Sequence, residues 1–188
     1  MEEAEVVALC DEYLDKAEYA AGENEERTGK RPKVTTDYRE ILAMPDVDGV
    51  VISTAWEPHI PIAVEAMRAG KPVCMEVGGA YSIYDCHELV RAYEETKTPF
   101  MLLENCCFDE VELWVTSMVR NGLYGEIVHC SGAYAHDLRE EIIFGKENRH
   151  YRLRNYMHRN CENYPTHELG PIAKLLGLNR GNRMVSLV

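Results

Sequence analysis

The stretch Gly49-Val50-Val51-Ile52-Ser53-Thr54-Ala55-Trp56-Glu57-Pro58-His59, continued by Ile60-Pro61-Ile62-Ala63-Val64-Glu65-Ala66-Met67, decides the fold class. Its first half is a short β-branched run of the kind buried on both faces of a parallel sheet. Its second half places Ile60, Ala63, Val64 and Met67 at i, i+3, i+4 and i+7, one apolar stripe along a helix. Pro61 suits the first turn of that helix, where a missing N–H costs nothing. Strand, polar loop and helix in this order make one repeating unit of an α/β sheet.

The same unit recurs outward in both directions. Toward the N-terminus, Val6 to Cys10 reads as a strand, followed by a polar helical stretch to Arg27 and the turn Thr28-Gly29-Lys30-Arg31-Pro32. Val34 then opens a short strand, and Asp37 caps a helix through Leu42. Toward the C-terminus, Pro72 to Met75 is a strand, Ser82 caps a helix to Lys97, and Phe100 to Leu103 is a further strand. A helix from Glu110 carries Val111, Trp114, Val115 and Met118 at helical spacing and closes at Asn121-Gly122. Such alternation predicts a doubly wound parallel sheet with helices on both faces. Past Gly122 the pattern changes. Glu126 to Ala135 alternates as a longer strand, and Arg139 to Asn163 is polar and rich in Arg and Tyr. A helix over Thr166 to Leu176 follows, and Met184 to Val188 opens another strand. The expected division is therefore 1–121 and 122–188.

The charge balance narrows the partners. The chain has 188 residues, with 20 Lys and Arg against 32 Asp and Glu and a net charge of −12. So acidic a surface is repelled by phosphate backbones and anionic headgroups, so neither nucleic acid nor membrane is an expected partner. No apolar run reaches the roughly 18 to 20 residues that span a bilayer. Met1-Glu2-Glu3 lacks the basic and apolar regions of a signal peptide. The 7 cysteines are scattered, without a C-x-x-C pair, and read as reduced thiols in a reducing compartment. That reading is cytoplasmic, with an upstream export signal left open. No metal site is expected, since Cys161 and His167 lack a second ligand pair.

In a doubly wound dinucleotide fold, the first strand leads into G-x-G-x-x-G, whose backbone holds the pyrophosphate. No such motif occurs here. An acidic residue after the second strand binds the adenosine ribose, and Asp11 stands directly after Val6 to Cys10. Asp11 serves equally well as a cap for the following helix. The simplest expectation is a chain that begins after the first strand and its glycine loop and stops inside a later one. The fold class is then an incomplete Rossmann-type doubly wound parallel sheet, followed by the start of an α+β domain. Loss of the first strand from the sheet centre would leave two unpaired strand edges.

Four clusters fall at strand ends or in loops, where ligands bind in open parallel sheets. Trp56-Glu57-Pro58-His59 can flank a nicotinamide or ribose, or pack at a helix start. Glu76-Val77-Gly78-Gly79 offers close backbone approach to a ligand. Glu104-Asn105 ends a strand with a carboxylate that is either a cap or a functional acid or base. Tyr134, His136, Arg152 and Tyr164-Pro165-Thr166-His167 form the densest group. His167 falls in the first turn of a helix, whose positive end favours a neutral imidazole that can act as a base.

At these residues the sequence resembles the Gfo/Idh/MocA oxidoreductase family, and within it the branch classed as glycoside hydrolase family 109, NAD-dependent α-N-acetylgalactosaminidases. The resemblance covers nearly all of the chain. It rests on Trp56 to His59, Glu76-Val77, Leu103-Glu104-Asn105, Gly125-Glu126 to His136-Asp137-Leu138-Arg139, Tyr164 to His167 with Leu169-Gly170-Pro171, and Asn179-Arg180-Gly181. It implies that Asp11, Trp56, Glu57, Pro58, His59, Glu76, Val77, Asn105 and Tyr164 touch NAD. It further implies that Tyr134, Arg152, Tyr164, Pro165, Thr166 and His167 line a sugar site. The wider family carries Glu-Lys-Pro where this chain has Glu76-Val77-Gly78, so the usual catalytic lysine is absent. That departure fits the glycosidase branch better than a sugar dehydrogenase.

The implied reaction oxidises the sugar at C3, removes the acidified C2 proton and expels the C1 substituent; water then adds and C3 is reduced again. His167 and Tyr164 are the candidates near the C3 hydroxyl, and Glu104, Tyr134 and His136 those for the C2 and C1 protons. Ordinary glycosidases instead need two carboxylates facing the bond. The alternatives are a sugar or inositol NAD(P)-dependent dehydrogenase and a non-catalytic or decayed binding fragment. The expected partner is a small sugar or glycoside, with homo-oligomerisation of the full-length protein left open. Without the pyrophosphate loop, these residues by themselves are expected to bind NAD weakly or not at all.

Overall fold

A computed structural model of the chain describes residues 4–163 and 165–187. Two compact units emerge, Met1–Leu102 and Leu103–Val188.

The first unit alternates strands and helices. In order these are β1 (Ala8–Cys10), α1 (Leu14–Thr28), β2 (Lys33–Thr35), α2 (Tyr38–Leu42), β3 (Val50–Ile52), α3 (His59–Arg68), β4 (Val73–Met75), α4 (Ile83–Thr96) and β5 (Phe100–Leu102). Every pairing is parallel: β1 with β2, β3 with β4 and β4 with β5. The strands divide into a two-stranded sheet, β1-β2, and a three-stranded sheet, β3-β4-β5. Among the described residues no strand joins β1 to β3.

The core gathers on α3. Ile60, Ala63, Val64 and Met67 are all buried and pack with Ile52, Val73 and Met75 from the sheet and Ala92 from α4. Each large apolar side chain buried in this way stabilises the unit by roughly 1.5–3 kcal/mol. Capping sets where the flanking helices begin. The Asp37 side chain accepts from the Arg39 amide. Ser82 and Asp85 exchange side-chain and backbone hydrogen bonds in a capping box at the start of α4. The Thr98 hydroxyl donates to the Met67 carbonyl and ties the end of α4 back to α3.

The second unit is helical. A short 3-10 turn at Asn105–Cys107 leads to α5 (Glu110–Arg120), α6 (Arg139–Ile143), α7 (Arg152–His158) and α8 (Thr166–Leu175). The turn and α5 both pack against α8. Those contacts give them to this unit, so it begins before Gly122, where the sequence pattern changes.

Two expected strands are not formed. Glu126 to Ala135 and the described part of Met184 to Val188 carry no ladder, and Val188 itself lies outside the described residues. A strand exists only when its backbone N–H and C=O groups find a neighbouring strand. In this unit the described residues supply one isolated bridge, Leu178 to Asn182. Among the described residues this unit therefore shows helices without a ladder of its own. Conversely, α6 and α7 lie in the segment from Arg139 to Asn163, which the sequence marked only as polar and rich in Arg and Tyr.

Candidate functional site

The first unit holds most of the residues expected to touch a dinucleotide. Asp11 follows β1, and its Oδ1 accepts from the Tyr13 amide at 2.8 Å. The bond closes a local turn just before α1, whose N-cap is Tyr13 with no side-chain cap, so Asp11 does not cap the helix. The turn uses one carboxylate oxygen, and the other remains an acceptor of the kind a ribose hydroxyl needs. The Glu76 amide donates to the Ile52 carbonyl at 2.8 Å, continuing the register of β3 and β4. The Glu76 carboxylate turns back to accept from the Val77 amide at 3.2 Å.

Trp56 and His59 are buried, at 3% and 1% exposure. The glycines after Glu76 explain why. A Cβ at Gly78 would lie 2.5 Å from the Trp56 ring, and one at Gly79 would lie 2.4 Å from the His59 Cβ. Both glycines hold positive φ, 87° and 91°, which other residues adopt only under strain. The close approach expected of Gly78-Gly79 is thus made to Trp56 and His59 within the chain. His59 Nε2 lies 3.1 Å from the Thr54 carbonyl. A carbonyl only accepts, so Nε2 carries the proton. Burial pushes the His59 pKa below its ordinary value, against the opposing pull of the Thr54 and Gly78 main-chain groups. Glu57 and Pro58 complete this corner, with Pro58 as the residue preceding α3.

The second unit brings three chemical groups together. Glu104 is 5% exposed, and its Oε1 lies 2.6 Å from His167 Nδ1 on the first turn of α8. The same oxygen accepts from the Cys106 amide at 3.1 Å. The other oxygen, Oε2, is buried and has no hydrogen-bond partner among the described residues. The Tyr134 ring packs edge-on against His167 at 4.3 Å and against His136 at 4.4 Å. Four candidates more than sixty positions apart along the chain, at their extremes, therefore share one contact network.

Gly170 makes this convergence possible. A Cβ there would sit 2.8 Å from Glu104 Cγ and 3.1 Å from Cys107 Sγ. Lys174 anchors the next turn of α8, donating to the Cys107 carbonyl at 2.8 Å and lying 4.2 Å from the Phe108 ring centre. The Cys106 and Cys107 thiols are both pushed up, first by their own loss of solvent and second by the neighbouring Glu104 carboxylate charge.

Ligand-type atoms of Glu104, Cys106 and His167 lie within 4.8 Å of one another. A tetrahedral zinc would hold its nitrogen and oxygen ligands roughly 3.3 Å apart, given bond lengths of about 2.0–2.1 Å. The 2.6 Å separation of Nδ1 and Oε1 is that of a hydrogen bond.

The remaining candidates are placed as follows. Asn105 opens the 3-10 turn, and its carbonyl accepts from the Phe108 amide at 2.8 Å. Pro165 precedes α8 and Thr166 begins it, with the Thr166 hydroxyl buried and unpartnered among the described residues. Arg152 starts α7 and pairs with Glu141, whose Oε1 also lies 2.8 Å from His150 Nε2. Tyr164 lies outside the described residues. Sequence reasoning did not single out Glu141, His150 or Gly170 as site residues. For Gly170 a signal existed: a glycine inside a helical pattern costs stability and marks a close approach.

The alternating strands and helices and the all-parallel ladders make the first unit a Rossmann-type α/β fold. Residues 1–103 match the model for "Oxidoreductase family, NAD-binding Rossmann fold", and residues 108–188 match "Glycosyl hydrolase 109, C-terminal domain". The chain belongs to the Gfo/Idh/MocA oxidoreductases, an enzyme family with an NAD-binding fold, and its second unit is similar to the C-terminal domain of glycosyl hydrolase family 109. A family 109 protein of Phocaeicola vulgatus is 38% identical, aligned over 100% of this chain and 47% of its own length. A Shewanella oneidensis protein named alpha-N-acetylgalactosaminidase is 37% identical over 97% of this chain and 41% of its own. The chain thus spans less than half the length of these curated relatives. Among solved structures, one of a Sinorhizobium meliloti protein described as a putative myo-inositol dehydrogenase superposes with a TM-score of 0.59. It is 27% identical, over 66% of this chain and 36% of that one.

All 7 cysteines are free. No helix among the described residues is long and apolar enough to cross a membrane.

Proposed function

We propose that the chain is part of an NAD-dependent glycosidase acting on α-N-acetylgalactosaminides. The observation that carries this reading is the buried Glu104–His167 pair with Tyr134 and His136 packed beside it. Hydrolysis through oxidation needs groups that carry protons, not two carboxylates flanking a glycosidic bond. The Shewanella oneidensis relative supports the choice of sugar.

The residues present fit the cofactor in kind. Asp11 offers a carboxylate oxygen for the ribose, and Trp56 to His59 with Glu76 and Val77 form the corner assigned to the rest of the nucleotide. Asn105 and Tyr164 complete that assignment. When bound, NAD supplies reversible oxidation at the sugar C3. His167 and Tyr164 take the C3 hydroxyl proton and return it. Glu104 Oε2, with no partner of its own among the described residues, receives the C2 proton, while Tyr134 and His136 serve the C1 oxygen. Arg152, Pro165 and Thr166 orient the sugar.

The test is hydrolysis of an aryl α-N-acetylgalactosaminide by this chain and by the natural polypeptide that carries it. Aryl release without net NADH supports the reading. NADH accumulating with a free sugar would favour a sugar or inositol dehydrogenase, the reading suggested by the Sinorhizobium meliloti fold neighbour. Neither aryl release nor NADH formation in the natural polypeptide leaves the binding fragment.

A further inference from the structure

We propose that Glu104 sets the tautomer of His167: Oε1 accepts the Nδ1 proton, which fixes the imidazole lone pair on Nε2. Four observations converge on this assignment. The Nδ1–Oε1 distance is 2.6 Å, at the short end for a bond between an N–H and a carboxylate. The Cys106 amide holds the same oxygen at 3.1 Å, so its position is set by main chain, not by solvent. Both side chains are largely buried, at 9% exposure for His167 and 7% for Glu104. Finally, the Tyr134 ring lies against the imidazole at 4.3 Å and restrains it from turning over.

The choice between the two neutral tautomers follows from this packing. With the proton on Nδ1, the pair makes one charge-assisted hydrogen bond. With the proton on Nε2, two lone pairs would face each other across 2.6 Å in a site that water does not relieve. The approach is built into α8, because at Gly170 even a methyl group would press on Glu104 Cγ. In this role Glu104 is a positioning residue that acts through His167. Oε1 orients the imidazole, whereas the proton chemistry proposed above belongs to Oε2. The catalytic consequence rests on the glycosidase reading; the tautomer itself does not.

Nitrogen-15 NMR of the full chain labelled at histidine tests the assignment directly. Correlations from the ring protons to both nitrogens distinguish Nδ1–H from Nε2–H. At pH 8 the unaltered chain is expected to show His167 in the Nδ1–H form. Finding Nε2–H, or a doubly protonated ring, would overturn the proposal, and that measurement requires no variant to fold. In Glu104→Gln, the His167 nitrogen pattern is expected to shift toward Nε2–H or a mixture, since the amide can turn and donate. A folded Glu104→Gln protein with the tautomer unchanged also overturns it, because Glu104 would then be only a packing element. An Nδ1–H ring in a protein without aryl-glycoside turnover would support the tautomer and count against the glycosidase.

Discussion

Each unit places a histidine with a largely covered side chain at the start of a helix, and the two are held by different acceptors. His59 opens α3 and lies 3.1 Å from a main-chain carbonyl. His167 is the second residue of α8 and lies 2.6 Å from a carboxylate. A carbonyl is a neutral acceptor that satisfies one N–H and does little to offset the cost of burying a cation. A carboxylate is a charged acceptor, and its hydrogen bond to a ring N–H is the stronger of the two. Burial therefore does not by itself mark a functional histidine. What distinguishes His167 is the charge on its partner.

The largest expected effect separates the two at the level of chemistry. In the natural polypeptide, His167→Ala should lower kcat for an aryl α-N-acetylgalactosaminide by about 10²–10⁴-fold, the usual contribution of a positioned acid or base. His59→Gln should show its main loss in cofactor affinity. Steady-state kinetics beside NAD calorimetry reads both. Equal kcat losses would break the contrast between the histidines.

The next effect concerns the glycines behind each ring. Gly79→Ala combines a positive φ of 91° with a Cβ 2.4 Å from His59 and 2.8 Å from the Trp56 carbonyl. Strain and overpacking together should cost about 2–4 kcal/mol. Gly170→Ala has no positive φ, and its nearest neighbours would be the Glu104 and Cys107 side chains, so the loss should be about 1–3 kcal/mol. Denaturant unfolding followed by circular dichroism measures both. A smaller loss for Gly79→Ala than for Gly170→Ala would show that the main chain around His59 yields more easily than the Glu104 side chain.

How far the sequence could be read depends on the same distinction between local and long-range causes. The α3 stripe of Ile60, Ala63, Val64 and Met67 announces a helix, and a sheet is present to cover it. The α5 stripe has equal spacing, and the helix forms, yet Val111 is 63% and Trp114 58% exposed while Thr116 is buried. Period specifies the helix but not which face finds a neighbour. Caps such as Asp37 and Ser82 were legible because their bonds reach only two or three residues. The Glu126 to Ala135 alternation was misleading for the opposite reason: a strand depends on a partner that period does not supply. In the site, Glu104 and His167 stood out by type. Their hydrogen bond, sixty-three positions apart, was not readable, since it depends on the packing of α8 at Gly170.

The smallest effect is a slope in stability with pH, and it belongs to His59 alone. Its folded pKa lies below the ordinary histidine value of 6.5, chiefly because burial disfavours the cation. Between the two values the unfolded chain binds the proton and the folded chain does not, so the unfolded state gains protons as pH falls. The contribution of His59 is thus fully present above pH 6.5 and is lost progressively below it, down to the folded pKa. His59→Gln removes the titrating group. Its unfolding free energy, followed by urea titration at successive pH values from 8 down to 5, should fall less steeply than that of the unaltered chain. An identical slope in both proteins would mean that the ring beside Thr54 takes up its proton as readily folded as unfolded, and the carbonyl would then hold a charged histidine as well as the carboxylate does.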